Sequence, residues 1–147
     1  MSRRSDGKPI DYRELSQSEM EDVADKVANA AIESSEERSK IIEDERSASA
    51  GTRNPGLELS SIACLVAEEG AGESERLDRT FTSVEILLES ADLSLRSFID
   101  TCFLEAYDSA LERRIGSAEI ESWYQAGSAI GPLTRGLLTD IRRLGSS

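Results

Sequence analysis

The sequence predicts an all-α fold, a helical bundle built around one long central amphipathic helix. Two observations lead to this prediction. Apolar residues recur at alternating spacings of four and three residues from Leu77 to Cys102, the period of a helix that packs along a seam. No segment shows the alternation of apolar and polar residues that is typical of a half-buried β-strand.

The chain is predicted to begin with a flexible arm followed by an N-terminal helix. Residues 1–15 are polar, contain a glycine and a proline and lack any periodicity, so we expect a flexible arm. Ser16 and Glu19 form a capping-box pattern that predicts a helix over residues 16–46. Its apolar face is thin after Ala30, so we expect its second half to be exposed or docked on a partner. The apolar residues on that face are Met20, Val23, Val27, Ala30 and Ile41.

Residues 47–56 are predicted to form a linker, since small residues there lead into Asn54-Pro55-Gly56, a turn pattern. The N-terminal helix is therefore expected to be partly detached from a helical core of residues 57–145. The first helix of that core ends at Gly70-Ala-Gly72, a turn surrounded by glutamates, Glu75 among them. Its predicted inner face consists of Leu59, Ile62, Ala63 and Val66.

The central helix is predicted over residues 74–115, which would make it about 60 Å long if it is continuous. The alternative is a break near Ser90-Ala-Asp92, where both polar residues can cap a new helix. Flanking apolar residues widen the stripe beyond a two-stranded seam and favour a bundle core. The stripe consists of Leu77, Phe81, Val84, Leu88, Ala91, Leu95, Phe98 and Cys102.

A short C-terminal helical unit is predicted after Gly116. One helix is expected from Ala118 to Ala126, and Pro132 is expected to open the last helix at its first position. The inner stripe of this last helix would consist of Leu133, Leu137, Ile141 and Leu144.

The charge of the chain is strongly segregated. The 147 residues carry a formal net charge of −12. Residues 1–13 hold four basic against two acidic side chains, and residues 122–147 hold three arginines against one aspartate, so the acidic excess lies in residues 14–121. An acidic body repels phosphate, which argues against nucleic-acid binding except through the basic termini. The same segregation favours contact between the end of one copy and the body of another.

The sequence argues against an enzyme and predicts no cofactor or metal ion. It contains no histidine, which removes the Ser–His and Cys–His dyads and most zinc sites. The glutamates and aspartates between Glu33 and Glu45 are interpreted as a solvated helix face with local ion pairs rather than a cation site. Cys64 and Cys102 are interpreted as core residues rather than reactive thiols.

The sequence predicts a cytoplasmic protein. No apolar run approaches the roughly 18–20 residues that span a bilayer, and no apolar segment follows the N-terminal arginines as in a secretory signal.

Two functional hypotheses follow. The first is a non-enzymatic, self-associating helical subunit of a larger homo-oligomer, such as a shell, filament or coat. The alternative is an acidic adaptor, chaperone or inhibitor that masks the surface of a basic protein partner. The candidate interface residues are Met20, Val23, Val27, Ile41, Trp123, Tyr124, Arg135, Arg142 and Arg143.

Overall fold

The computed structural model describes residues 15–49, 53–72 and 74–145, with only the backbone of residues 44–49. Every regular element in these residues is a helix, which confirms the all-α prediction. The elements are α1 (Gln17–Ala31), α2 (Ser35–Ser49), α3 (Pro55–Ala67), α4 (Glu75–Ser90), α5 (Leu93–Ile99), a π-helical turn (Asp100–Leu104), α6 (Glu105–Ile115), α7 (Ser117–Ala126) and α8 (Pro132–Gly145).

The predicted N-terminal helix is two helices. α1 begins at the predicted capping box, in which the Ser16 hydroxyl accepts a hydrogen bond from the Glu19 backbone N–H at 3.0 Å. The backbone becomes extended at Ile32, and the Ser34 hydroxyl then accepts from the Glu37 backbone N–H at 3.2 Å. The pattern of a serine followed three residues later by a glutamate thus occurs at the start of both helices, and Ser34 with Glu37 begins α2.

α1 belongs to the core and is not detached, contrary to the prediction. It packs against both α3 and α4, and its apolar side chains, such as Val27, are buried there. The proposed turn at Asn54 begins α3 instead: the Asn54 side chain accepts from the Leu57 backbone N–H at 3.1 Å, and Pro55 is the first helical residue. Residues 50–52 of the predicted linker lie outside the described residues, as do residues 1–14. Leu15, the last residue of the predicted arm, is buried.

The predicted central helix is broken near Ser90-Ala-Asp92, which confirms the alternative prediction for this segment. α4 ends at Ser90, and the Asp92 carboxylate accepts from the Leu95 backbone N–H at 2.8 Å to start α5. From Leu93 to Ile115 the backbone is helical without interruption. The helix from Leu93 to Ile115 is about 34 Å long, whereas a continuous helix over residues 74–115 would be about 60 Å long. The shorter length fits a domain of this size.

The π-helical turn changes which residues of this helix face the core. The Glu105 backbone N–H donates to the Asp100 carbonyl, five residues earlier, so this turn holds an extra residue. The buried positions consequently pass from Phe98 to Phe103 and from Ile99 to Leu104, steps of five residues, and Cys102 is only half-buried. The Ser60 hydroxyl of α3 donates a hydrogen bond of 2.8 Å to the Cys102 carbonyl.

Aromatic residues join α4, α6 and α7 at the centre of the molecule. The Phe81 ring meets the Tyr107 ring edge-on, with 5.0 Å between centroids. The Tyr107 hydroxyl accepts a hydrogen bond of 3.0 Å from the indole Nε1 of Trp123, and the Tyr124 hydroxyl donates one of 2.9 Å to Asp108. α7 is therefore fixed on α6 by two buried hydrogen bonds.

None of the helices in the described ranges has the length and the apolar character that crossing a membrane requires.

Candidate functional site

A cleft of about 800 Å³ lies between the start of α4 and the outer side of α7. We call it the Trp123 cleft. One wall comes from the loop before α4 and its first turn, and the other from α7 and the loop that follows it. Its lining residues are Ala71, Gly72, Ser74, Glu75, Asp78, Glu119, Ser122, Trp123, Ala126, Gly127, Ser128 and Ala129.

Local sequence shapes both walls of the Trp123 cleft. Gly70 and Gly72 have positive φ angles of 73° and 119°, so they turn the chain sharply before α4, where most other residues would be strained. The Ser74 hydroxyl then caps α4 by accepting from the Leu77 backbone N–H at 3.4 Å. On the opposite wall, the hydrogen bond to Tyr107 holds the Trp123 ring in one orientation.

Gly127 lies directly against the Trp123 ring at the end of α7. A Cβ atom at this position would lie 2.6 Å from Cζ3 of Trp123 and 2.7 Å from its carbonyl oxygen. Any larger residue would therefore have to displace the ring or the helix end. Glycine thus lets the chain turn closely over the six-membered part of the indole.

Three carboxylates give the Trp123 cleft a negative charge. Glu75 and Asp78 lie on α4 and Glu119 on α7, and among the described residues no lysine or arginine lines the cleft. The Glu75 side chain is 94% exposed, with Arg79 at 4.0 Å as a distant ion-pair partner. The two helix N-termini contribute about half a positive charge each, so a net negative charge of roughly two remains. A cationic ligand is favoured there and an anionic one is repelled.

The Trp123 cleft does not have the features of an acid–base catalytic site. The carboxyl group with a raised pKa is Asp100, where burial and then the charges of Glu105 and Asp140 raise the pKa to about 6. Asp100 lies on the π-helical turn and does not line the cleft. Across the described ranges, no group of three or more carboxylate or thiol side chains is arranged to hold a metal ion.

A second groove, of about 710 Å³, lies between α1 and α4. It contains Ile86, which is 59% exposed. Two cations line it, and both have acidic partners: Lys26 lies 3.0 Å from Asp22, and Arg79 lies 2.8 Å from Glu33. Asp78 lines this groove as well as the Trp123 cleft, so the two paired cations do not give the groove a net positive charge.

The apolar interface candidates of the N-terminal helices lie in the chain's own core. Val23 and Val27 lie on the buried face of α1, and Ile41 is a buried residue of α2. Met20 of α1 is half-buried. Tyr124 is buried as well, and Trp123, also largely buried, is the one candidate that lines the Trp123 cleft.

The three arginines among the candidates make contacts within the chain. Arg135 donates hydrogen bonds to the carbonyls of Tyr124, Gly127 and Ile130 at 2.7–3.0 Å, and so caps the end of α7. Arg142 lies 3.3 Å from both Asp108 and Glu112 of α6. Arg143 is exposed and lies 3.9 Å from Asp140.

The acidic stretch between Glu33 and Glu45 is in part a tertiary anchor. Arg76 of α4 is almost fully buried and forms ion pairs with Glu33, with Glu37 at 2.8 Å and with Glu69 at 3.3 Å. A hydrogen bond from Arg76 lowers the pKa of Glu33, and one from the Glu33 backbone N–H lowers the pKa of Glu37. Glu33 and Glu37 thus form ion pairs within the fold and are not simply solvated side chains of an exposed helix face.

The interpretation of both cysteines as core residues holds only for Cys102. Its thiol packs against the core, and burial raises its pKa to about 11. Cys64 is exposed and lines a third groove, which lies between α2 and α3. Cys64 follows the buried Ala63 directly and lies about 100° around the helix from it, which turns its side chain outward.

The sequence alone predicts no role for the carboxylates of the Trp123 cleft. It marks Glu75 only as a neighbour of a glycine turn and does not single out Asp78 or Glu119. One signal was present: Glu119 and Trp123 are four residues apart and share a face of α7. The other wall of the cleft comes from a distant part of the chain.

Comparison with protein-family models, curated proteins and solved structures gives no match to this chain.

Proposed function

We propose that this protein is a non-enzymatic binding module that receives a basic polypeptide segment in the Trp123 cleft. One observation carries the proposal: three carboxylates from two helices converge on a cleft that no cationic side chain lines in the part of the chain that the structure describes. No ion pair links Asp78 or Glu119 to another described residue, so a partner's arginine or lysine would not have to displace an internal one.

Trp123 favours an arginine-containing ligand, because guanidinium groups bind to indole rings. Only 8% of Trp123 is exposed, so a ligand contacts the small part of the ring that lines the cleft, and we expect a contribution below the roughly 0.5–1 kcal/mol of a fully exposed pair. The ring is held in place before any ligand arrives, so little side-chain freedom is lost on binding. Exposed ion pairs contribute about 0.2–1 kcal/mol each, so we expect weak binding that depends strongly on salt.

The single tryptophan makes this proposal directly measurable. A capped peptide of alternating arginine and glycine, added at low salt, is expected to change the fluorescence of Trp123 in a saturable way. Glu119→Gln should weaken the binding, since it removes one cleft charge with little change in shape. Glu36→Gln removes an equally exposed carboxylate on α2 and serves as the matched control.

Two outcomes would contradict the proposal. One is the absence of any saturable fluorescence change up to millimolar peptide. The other is binding that Glu119→Gln and Glu36→Gln weaken equally, because this would indicate attraction to the overall charge of the protein and not to the cleft.

A further inference from the structure

The groove between α1 and α4, the α1–α4 groove, combines apolar side chains with unpaired polar ones. Ala30 of α1 and Ile86 and Leu87 of α4 line it, and more than half of Ile86 is exposed. Asn29 and Thr82 line it as well, and their side chains form no hydrogen bond with another described residue. The groove therefore offers an apolar surface together with polar groups that pair with the backbone of an extended segment.

The chain enters α1 at one end of this groove. The Arg79 guanidinium donates a hydrogen bond of 3.0 Å to the Ala30 carbonyl, and the Ser83 hydroxyl donates one of 3.4 Å to the Lys26 carbonyl. Residue numbers thus rise along α4 as they fall along α1, so the two helices are antiparallel. The start of α1 consequently lies beside the end of α4.

The residues that precede Leu15 in sequence are within reach of Ile86. In the antiparallel pair, Ile86 is level with Val23, which is eight residues after Leu15 and so about 12 Å from it along the helix axis. Leu15 is buried, which fixes the point from which the preceding residues start. Three extended residues span at most about 11 Å and five at most about 18 Å. Tyr12 therefore reaches the near end of the groove, and Ile10 reaches Ile86.

The sequence places apolar side chains at these two positions. Residues 9–14 read Pro-Ile-Asp-Tyr-Arg-Glu. Ile10 and Tyr12 are two residues apart, so in an extended chain both would point to one side and the neighbouring charged residues to the other. This stretch matches a groove whose line of contact is apolar.

We propose that the α1–α4 groove holds residues 9–14 of the same chain in an extended conformation, with Ile10 on Ile86 and Tyr12 beside Leu87. Removal of these apolar side chains from water drives the docking. A segment tethered a few residues away has an effective concentration in the millimolar range, whereas a second copy competes only at its free concentration. The groove is therefore filled from its own chain, and the inference does not require a ligand in the Trp123 cleft.

Nuclear Overhauser spectroscopy of the full chain tests the contact. We expect a cross-peak between the Tyr12 ring and the Leu87 methyl groups. Ile86→Ser should abolish this cross-peak, and since Ile86 is largely exposed the variant should remain folded. Ile10→Ser, which alters the segment instead of the groove, should abolish it as well. The matched control is Ile42→Ser, which replaces a partly exposed isoleucine of α2 and should leave the cross-peak unchanged.

An equal mixture of isotope-labelled and unlabelled protein distinguishes the same chain from a second copy. The cross-peak should arise within labelled molecules and be absent between labelled and unlabelled ones. The inference is overturned if wild-type protein gives no cross-peak between Tyr12 and Leu87, or if Ile86→Ser leaves it at full strength. A cross-peak found only between differently labelled copies would also overturn it and would assign the groove to a second copy.

Discussion

Glu85 of α4 and Thr134 of α8 are joined by two hydrogen bonds, although 49 residues separate them in sequence. The Glu85 carboxylate accepts from the backbone N–H of Thr134 at 3.0 Å and from its hydroxyl at 2.9 Å, and the Leu133 backbone N–H donates at 3.1 Å. Glu85 thereby acts as the N-terminal cap of α8. A Cβ atom on Gly131 would collide with this carboxylate, so glycine leaves room for it.

Removal of this tertiary cap should loosen α8. We expect Glu85→Ala to lower the free energy of unfolding by about 1–2 kcal/mol, the range for loss of a helix cap. Urea unfolding measures the change. Glu89→Ala, one turn further along α4 at an exposed position, should change stability by less than about 0.5 kcal/mol. Equal effects of the two substitutions would show that Glu85 does not cap α8.

Arg76 should hold α2 in place. Arg76→Met breaks the ion pairs with Glu33, Glu37 and Glu69, and we expect a loss of about 1–3 kcal/mol, less than for a fully buried network because the glutamates are partly solvated. Hydrogen exchange should accelerate at the amides of α2. The control is Arg38→Met, because Arg38 is exposed and its ion-pair partner among the described residues, Asp25, is distant at 4.0 Å. If the amides of α2 exchange at the same rate in both variants, Arg76 is not its anchor.

Asp100 should make stability depend on pH between about 4 and 6. Its pKa is about 6 in the folded protein, above the ordinary 3.8, chiefly because of burial. In this interval the folded state holds a proton that the unfolded state has released, so stability falls as pH rises and the penalty is constant above pH 6. Asp100→Asn should remove this fall in urea unfolding measured at pH 5 and pH 7. The prediction fails if the wild type and this variant respond to pH alike.

Phe98 tests the burial of the apolar stripe. It is 3% exposed, and we expect Phe98→Ala to cost about 3–5 kcal/mol of unfolding free energy, through lost transfer energy and the cavity left behind. Leu93→Ala is the control, because Leu93 is 48% exposed and should contribute less than about 1 kcal/mol. An effect of Phe98→Ala below about 1 kcal/mol would place this side chain at the surface.

The two thiols should differ in reactivity. Cys64 is exposed, whereas burial raises the pKa of Cys102 to about 11, so little thiolate forms there at neutral pH. With a thiol-specific reagent we expect one fast reaction in the native protein and a second only after unfolding. Cys64→Ser should abolish the fast reaction, and a fast reaction that persists in this variant would contradict the assignment.

The helical class and most helix ends follow from local sequence. These features depend on neighbours within a few residues, such as Ser16 with Glu19, Asp92 with Leu95, or Pro132 at the start of α8. The apolar spacing also identified Leu77, Phe81, Val84 and Leu88 as core residues, because a regular helix turns by a fixed angle at each residue.

Contacts between distant parts of the chain set where the helices pack and what surrounds the Trp123 cleft. The π-helical turn moved the core position from Cys102 to Phe103, because one extra residue in a turn rotates everything after it. The ion pairs of Arg76 with the start of α2, the hydrogen bonds of Glu85 with α8 and the two walls of the cleft join residues about 40 to 60 positions apart. Such pairs leave no local periodicity, since charged side chains find their partners only after the core has placed the helices side by side.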